Sequence, residues 1–332
     1  MHEDESKMTK PRVLIAAAFI KPDGEIDHRL REARLETVFS PWYGGRSEDE
    51  LIRVLQGIDG VLVAGDRFTA RVIRAADRLK VISRTGVGYD GVDVKAATER
   101  SIAVCTTPGV NRNAVADYTM ALILLCARQM GANLTEIAKG GWTRHEGHDL
   151  DGSTLGIVGL GTIGKEVAKR ARAFGMRVLA HDPARDEAFA REHQVTYLPL
   201  DELLRQSDYV SLHLFLNEKT RHLIHADRLA LMKPTAYLIN TARGGIVDTE
   251  ALCEALRQKR IAGAALDVFD PEPLPADSPL RRLDNVYLFP HVAGQTANSA
   301  RAMGMMAAEN VVRVLRGESP VCTVNPEALK KM

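Results

Sequence analysis

Cysteine is scarce in this chain: Cys105, Cys126, Cys253 and Cys322 are scattered through 332 residues with no C-x-x-C pair among them. That spacing argues against a disulfide framework or a zinc site, and the thiols read as reduced and mostly buried, as in a cytoplasmic protein. Charge of one sign is equally lacking, since 44 Lys and Arg face 43 Asp and Glu for a formal net charge of +1. With no basic excess there is no electrostatic basis for binding nucleic acid or an anionic membrane surface. No apolar run is long enough to span a bilayer; the longest, around Met120–Ala127, suits a buried helix. The N-terminal MHEDESKMTK is polar and acidic, unlike a secretory signal, and is expected to form a flexible leader over residues 1–10. No low-complexity linker interrupts the chain either, so any crossing between domains should be made by helices.

What the chain does contain is length enough for two domains and a steady alternation of short apolar runs with helical stretches. This alternation predicts parallel sheets covered by helices. A first set of strands is expected at Val13–Phe19, Gly60–Ala64, Val81–Arg84 and Ala103–Cys105, with helices around Asp49–Gln56, Ala70–Ala76 and Val94–Arg100. A second set starts at Leu155 and continues through Met176–Ala180, Tyr209–Leu216, Ala236–Asn240, Ala264–Phe269 and Val286–Phe289. Between them lies Val115–Arg128, apolar on nearly every face and therefore expected to be buried between domains. A last helix is predicted over Ala297–Leu315. The expectation is an α/β protein of two Rossmann-like or flavodoxin-like parallel-sheet domains with a cleft between them. The first domain is discontinuous (11–107 with 297–332), and the second is a nucleotide-binding domain over 108–296.

The second set opens on TLGIVGLGTIGKEVAKRARAFGMRVLAHD, residues 154–182. A strand leads into Gly159-Leu160-Gly161-Thr162-Ile163-Gly164, a helix follows to Phe174, and a second strand ends at Asp182. Glycines in this register permit a tight turn, close approach of the backbone to a pyrophosphate and tight packing of helix on strand. The helix start offers unpaired N–H groups and the positive end of its dipole to the phosphates. Asp182 stands where a carboxylate can accept bonds from the adenosine ribose hydroxyls. A 2′-phosphate would meet that carboxylate, so NAD is expected over NADP, although Arg185 lies nearby. The turn lacks the longer spacing of a Walker-type loop, and Lys165 is expected to be a solvated helix residue.

Three titratable or charged residues follow strands of the same domain: Arg243 in NTARGG, Glu272 in DVFDPEP and His291 in NVYLFPH. Hydride transfer to a 2-keto acid needs a planar bidentate donor for the carboxylate, which arginine supplies. It needs a proton donor for the carbonyl oxygen, which histidine supplies near neutral pH, and a carboxylate to orient that histidine and favour its charged form. Each residue alone is as readily a surface ion pair or loop residue; three at strand ends of one sheet point to a catalytic set. His145 and His148, near Asp149, lack a third ligand at a metal spacing and read as polar loop residues, so no metal is expected.

RTGVGYDGVD (84–93), TTPG (106–109), the glycine turn, NTARGGIVD (240–248), AALDVFDPEP (264–273) and PHVAGQT (290–296) together make the chain resemble the D-isomer-specific 2-hydroxyacid dehydrogenases. The likeness is strongest to the phosphoglycerate dehydrogenase branch without its regulatory C-terminal domain. The resemblance implies an NAD-dependent oxidoreductase acting on a small 2-keto or 2-hydroxy acid, with Arg243, Glu272 and His291 as its catalytic set. It also implies cofactor contacts from Thr241, Ala242 and from Asp267, the last to the nicotinamide carboxamide. Substrate contacts are implied for the Val87-Gly88 backbone, Arg84 and Arg144, besides Arg243. A homodimer through the nucleotide domain is implied as well. Two departures stand out. The strand ending near residue 64, where that branch carries an arginine for a substrate phosphate, reads Ala64-Gly65-Asp66. The usual proline after the third nucleotide-domain strand is Phe215. 3-Phosphoglycerate, hydroxypyruvate or glyoxylate, and bulkier 2-keto acids all stay open as substrates. The alternative reading is a dinucleotide-sensing scaffold like the C-terminal-binding-protein corepressors. A formate enzyme of this fold would pair its histidine with glutamine, where this chain has Glu272.

Overall fold

A computed structural model describes residues 10–42 and 46–331, so the expected leader lies outside the described residues apart from Lys10. The chain divides into two compact units, one running to Asn111 and resuming at Thr296, the other Arg112–Gln295.

The first unit is built from β1 (Arg12–Ala17), α1 (Glu25–Glu32), β2 (Glu36–Trp42), α2 (Glu48–Val54), β3 (Gly60–Val63), α3 (Ala70–Ala75), β4 (Val81–Arg84), α4 (Val94–Glu99) and β5 (Ala103–Cys105). Its five strands are parallel in the order β2-β1-β3-β4-β5. Strands β1, β3 and β5 are buried almost throughout, which is why they read as unbroken apolar runs. The edge strand β2 was not foreseen. Its ETVFSPW is half exposed and carries Pro41, which an edge tolerates and a central strand does not. Helices start where side chains satisfy the orphan N–H groups: Ser47 and Glu50 form a reciprocal capping box on α2, and Thr69 and Asp93 cap α3 and α4.

The second unit carries α5 (Arg112–Ala127), α6 (Met130–Ala138), β6 (Thr154–Val158), α7 (Thr162–Ala173), β7 (Arg177–His181), α8 (Glu187–Glu192), β8 (Val195–Tyr197), α9 (Leu200–Gln206), β9 (Tyr209–Leu212), α10 (Ala226–Leu231), β10 (Tyr237–Asn240), α11 (Thr249–Arg257), β11 (Gly263–Leu266) and β12 (Val286–Leu288). Seven parallel strands run in the order β12-β11-β10-β9-β6-β7-β8. Strand order reverses between β6 and β9, the switch point beyond whose carboxyl ends such sheets bind ligands. β9 ends at Leu212, four residues short of the expected run, and β11 ends at Leu266 rather than Phe269. The residues beyond are thereby released as loops. The apolar α5 packs on α7, β10 and β11 of its own unit, which accounts for its burial.

The chain then returns to the first unit with α12 (Ala297–Leu315), which packs on α1, β3 and β4. Two buried asparagines sew this return in place. Asn310 donates to the Thr106 carbonyl at 3.2 Å and accepts the Val321 N–H at 2.9 Å. Asn325 accepts the Val104 N–H at 2.8 Å and donates to the Ile102 carbonyl at 2.9 Å.

Candidate active site

At the end of β6 the chain turns through Gly159, whose φ of +98° few side chains adopt; a Cβ there would lie 2.6 Å from the His213 carbonyl oxygen. Gly164 lets α7 press onto the turn, because its Cβ would fall 2.2 Å from the Gly159 oxygen. At Gly161, the N-cap of α7, a Cβ would meet nothing within 4 Å. The backbone is thus open to a ligand where Thr162, Ile163 and Gly164 present first-turn N–H groups, a cradle that fits a pyrophosphate. The hollow beside it is bordered by Leu160, Thr162, Lys165, Asp182 and Phe189. Asp182 does more than face that hollow. Its carboxylate accepts the Leu160 and Ala184 N–H groups, both at 2.8 Å, and so ties the glycine turn to the end of β7. Lys165, expected to be solvated, instead meets Asp186 at 2.5 Å and lies 5.3 Å from the centre of the Phe189 ring. Arg185 lies 5.3 Å from the Tyr197 ring centre and 3.9 Å from Glu187. Beneath the turn, burial pushes His213 down to about 4, keeping it neutral, with Ser211 Oγ 2.8 Å from its Nε2. Nothing in the sequence pattern had singled this residue out.

The next strands deliver the candidate catalytic set. Asn240 closes β10 and straps the following turn, accepting the Ala242 N–H at 3.0 Å and donating to the Arg243 carbonyl at 2.9 Å. Thr241, also buried, has its hydroxyl 3.1 Å from that of Thr119 on α5. Arg243 Nη1 donates to the Ala242 carbonyl at 2.7 Å. Gly244 brings this turn against the loop after β11, because a Cβ there would lie 1.9 Å from the Phe269 carbonyl carbon. On that loop Glu272 Oε1 accepts the Phe269 N–H at 2.9 Å, and Oε2 lies 2.8 Å from His291 Nδ1. Burial tends to raise the Glu272 carboxyl. The bond from His291, the charge of that imidazole, the Phe269 N–H and the Arg243 guanidinium outweigh it and hold the carboxyl below the usual range. Arg243, Glu272 and His291 are therefore brought together at the carboxyl edge of one sheet. Asp267, fully buried just beyond β11, accepts the Val292 and Ala293 N–H groups, both at 2.8 Å.

The other residues singled out from the sequence belong to other segments of the chain. In the first unit Arg84, at the end of β4, donates to the Asp66 carbonyl and the Gly88 carbonyl, each at 3.2 Å. It thus braces the Val87-Gly88 loop. Asp66 is engaged with Arg46 at 2.6 Å, in an ion pair whose side chains are 4% and 3% exposed. Arg144 is exposed in the second unit, on the segment after α6, as are His145, His148 and Asp149. Among the described residues no group of three His, Cys, Asp or Glu side chains is placed to hold a metal ion. Cys105, Cys126 and Cys253 are buried, and burial pushes the first two up to about 12, where a thiol is inert.

Residues 120–293 match the family described as D-isomer specific 2-hydroxyacid dehydrogenase, NAD binding domain. A glyoxylate reductase of Korarchaeum cryptofilum is 46% identical over 271 residues, covering 80% of this chain and 82% of that protein. A D-3-phosphoglycerate dehydrogenase of Methanocaldococcus jannaschii is 42% identical over 285 residues, covering 85% of this chain and 54% of that protein. The crystal structure of the TT0316 protein from Thermus thermophilus superposes with a TM-score of 0.85 at 42% identity, covering 94% of this chain and 99% of that one. The chain belongs to the D-isomer-specific 2-hydroxyacid dehydrogenase family, oxidoreductases that act on a CH–OH group with NAD(P). Its second unit carries the NAD-binding domain.

Proposed function

We propose that this chain reduces small, unphosphorylated 2-keto acids such as glyoxylate and hydroxypyruvate with NADH, and oxidises the matching D-2-hydroxy acids in reverse. The observation that carries this reading is the 2.8 Å bond between His291 Nδ1 and Glu272, with Arg243 close enough to act on the same carboxylate. When bound, the nicotinamide supplies or accepts the hydride. Arg243 offers its guanidinium fork to the substrate carboxylate. With Nδ1 taken by Glu272, Nε2 of His291 is the nitrogen left to give a proton to the carbonyl oxygen, or to remove it from the hydroxyl in oxidation. Glu272 orients the ring and stabilises its charge.

In the first unit the proposed role is recognition of the substrate carboxylate by the backbone of Val87-Gly88. Ala64 and Gly65 put no cation at the end of β3, and Arg46 is committed to Asp66, which supports a substrate without phosphate. The name of the Korarchaeum relative supports the same choice. NAD is favoured over NADP by the Asp182 carboxylate, and Arg185 is drawn towards Tyr197 and Glu187. The reading as a dinucleotide-sensing scaffold finds no support in the comparisons. A homodimer through the NAD-binding unit belongs to the proposal. Leu134 and Ile137 on α6 and Trp142 beyond it are 67%, 58% and 78% exposed, a patch of a kind that usually marks an interface. Unpaired thiols support a reducing, cytoplasmic setting.

The test is NADH oxidation followed with glyoxylate, hydroxypyruvate and 3-phosphohydroxypyruvate. The phosphorylated acid should be the poorest by about tenfold or more in kcat/KM. A preference for it would overturn the substrate assignment, and no turnover with any of the three would overturn the activity.

A further inference from the structure

The hollow beside the glycine turn is bordered, among the described residues, by three cations and three carboxylates: Arg112, Lys165 and Lys169 against Glu166, Asp182 and Asp186. Both lysines are already committed. Lys169 Nζ lies 2.9 Å from Glu166, and Lys165 Nζ lies 2.5 Å from Asp186. The two pairs differ in reach. Lys169 and Glu166 are neighbours on α7, as residues three apart on a helix are. Lys165 instead reaches from the first turn of α7 to the start of α8, beside the Phe189 ring whose centre is 5.3 Å away. Asp186 is fixed there by its backbone and by its side chain. Its N–H donates to the Tyr197 hydroxyl at 2.9 Å, and its Oδ1 accepts the Phe189 N–H at 3.0 Å, which leaves Oδ2 for the lysine. The bond from Lys165 is foremost in holding the Asp186 carboxyl below its usual range, so Asp186 is ionised at neutral pH. Arg185, on the same turn, faces Glu187 and Tyr197.

A cation bordering the hollow with Asp182 is what a 2′-phosphate would need, since such a group carries about −1.5 to −2 charges at pH 7. We propose that Asp186 is a second residue selecting NAD over NADP: by tethering Lys165 to the start of α8, it withholds that ammonium from a 2′-phosphate. This rests on the NAD reading above and extends it beyond Asp182, whose carboxylate opposes the phosphate directly. The selection then comes from pairing a cation that is present, so removing one negative charge should undo part of it. The same pair has a simpler task, joining α7 to α8. A tie that was only structural would change stability and leave the choice of cofactor where it was.

Asp186→Asn is the variant, because asparagine caps a helix about as well as aspartate and only the charge is lost. The readouts are the dissociation constants of NADH and NADPH, measured by nucleotide fluorescence on the full chain with no keto acid present. The ratio of the NADPH constant to the NADH constant should fall by about threefold or more, the scale of one exposed ion pair. The gain should shrink as salt rises from about 0.05 M to about 0.5 M. Adding Lys165→Gln to Asp186→Asn should cancel most of it. An unchanged ratio in folded Asp186→Asn would overturn the proposal. So would a gain that survives the loss of Lys165, because Asp186 would then repel the phosphate by its own charge alone. A wild type that binds neither nucleotide would overturn the NAD reading and this inference with it. If NADH binds and no keto acid is turned over, only the activity reading fails, and the ratio still decides the role of Asp186.

Discussion

Glu272 joins its own loop to His291, the proposed proton donor, accepting the Phe269 N–H with one oxygen and meeting His291 Nδ1 with the other, at 2.9 and 2.8 Å. Its carboxyl is held below the usual range, so Glu272 keeps its negative charge beside the imidazole through the working pH range. Reduction needs the proton on the pair, and the carboxylate favours the protonated imidazole. Glu272→Gln removes the charge and keeps the shape. The alkaline limb of the reductive kcat/KM profile should therefore move to lower pH, and the acid limb of the oxidative profile should move the same way. Asp270 is no ready substitute, since it pairs with Arg221 at 3.0 Å. Identical profiles for variant and wild type would remove Glu272 from the mechanism.

Arg243→Lys should cost far more than its conserved charge suggests. Lysine cannot present a planar fork to a carboxylate, and the loss in kcat/KM should be at least about a hundredfold, or about 2.7 kcal/mol. Steady-state kinetics of a folded variant check this, and near-wild-type values would make Arg243 a structural residue.

Removal of Asp182 should have two separable effects. Asp182→Ala should narrow the ratio of kcat/KM for NADH over NADPH, because the like-charge contact with a 2′-phosphate is gone. It should also destabilise the protein by about 1–3 kcal/mol, because the Leu160 and Ala184 N–H groups lose their acceptor. Kinetics with both cofactors and chemical denaturation tell the two apart; an unchanged cofactor ratio would exclude the ribose role.

In the first unit the pair most sensitive to truncation is Arg46 and Asp66. Asp66→Ala leaves a guanidinium buried without a counter-charge, and should cost about 3–5 kcal/mol. Denaturant unfolding measures it, and a loss below about 1 kcal/mol, the range of an exposed pair, would mean that Arg46 escapes to solvent.

Much of this architecture was legible because parallel strands buried on both faces announce themselves as apolar runs, and because the turn at Gly159–Gly164 follows from local sterics. What escaped was whatever depends on pairing at a distance. β2 was missed because an edge strand needs neither continuous apolarity nor freedom from proline. The Asp66–Arg46 pair and the grip of Asp267 on residues 291–293 join positions about twenty or more apart, brought together by strand registers that no local pattern encodes. The motif located Asp182 and Lys165 on the chain, but their partners Leu160, Ala184 and Asp186 could be named only from coordinates.

The asparagine stitches at Asn310 and Asn325 bear on the order in which the protein matures. They bind residues 98–106 across more than two hundred positions of chain, whereas the second unit is one continuous stretch. A ribosome emits the first unit's sheet early, but α12, which covers β3 and β4, only after the whole second unit has been made. The expected sequence of events is that Arg112–Gln295 completes its fold before the segment synthesised ahead of it. Limited proteolysis of released chains truncated near residue 295 should find the later-made unit resistant and the earlier-made one still open to cleavage.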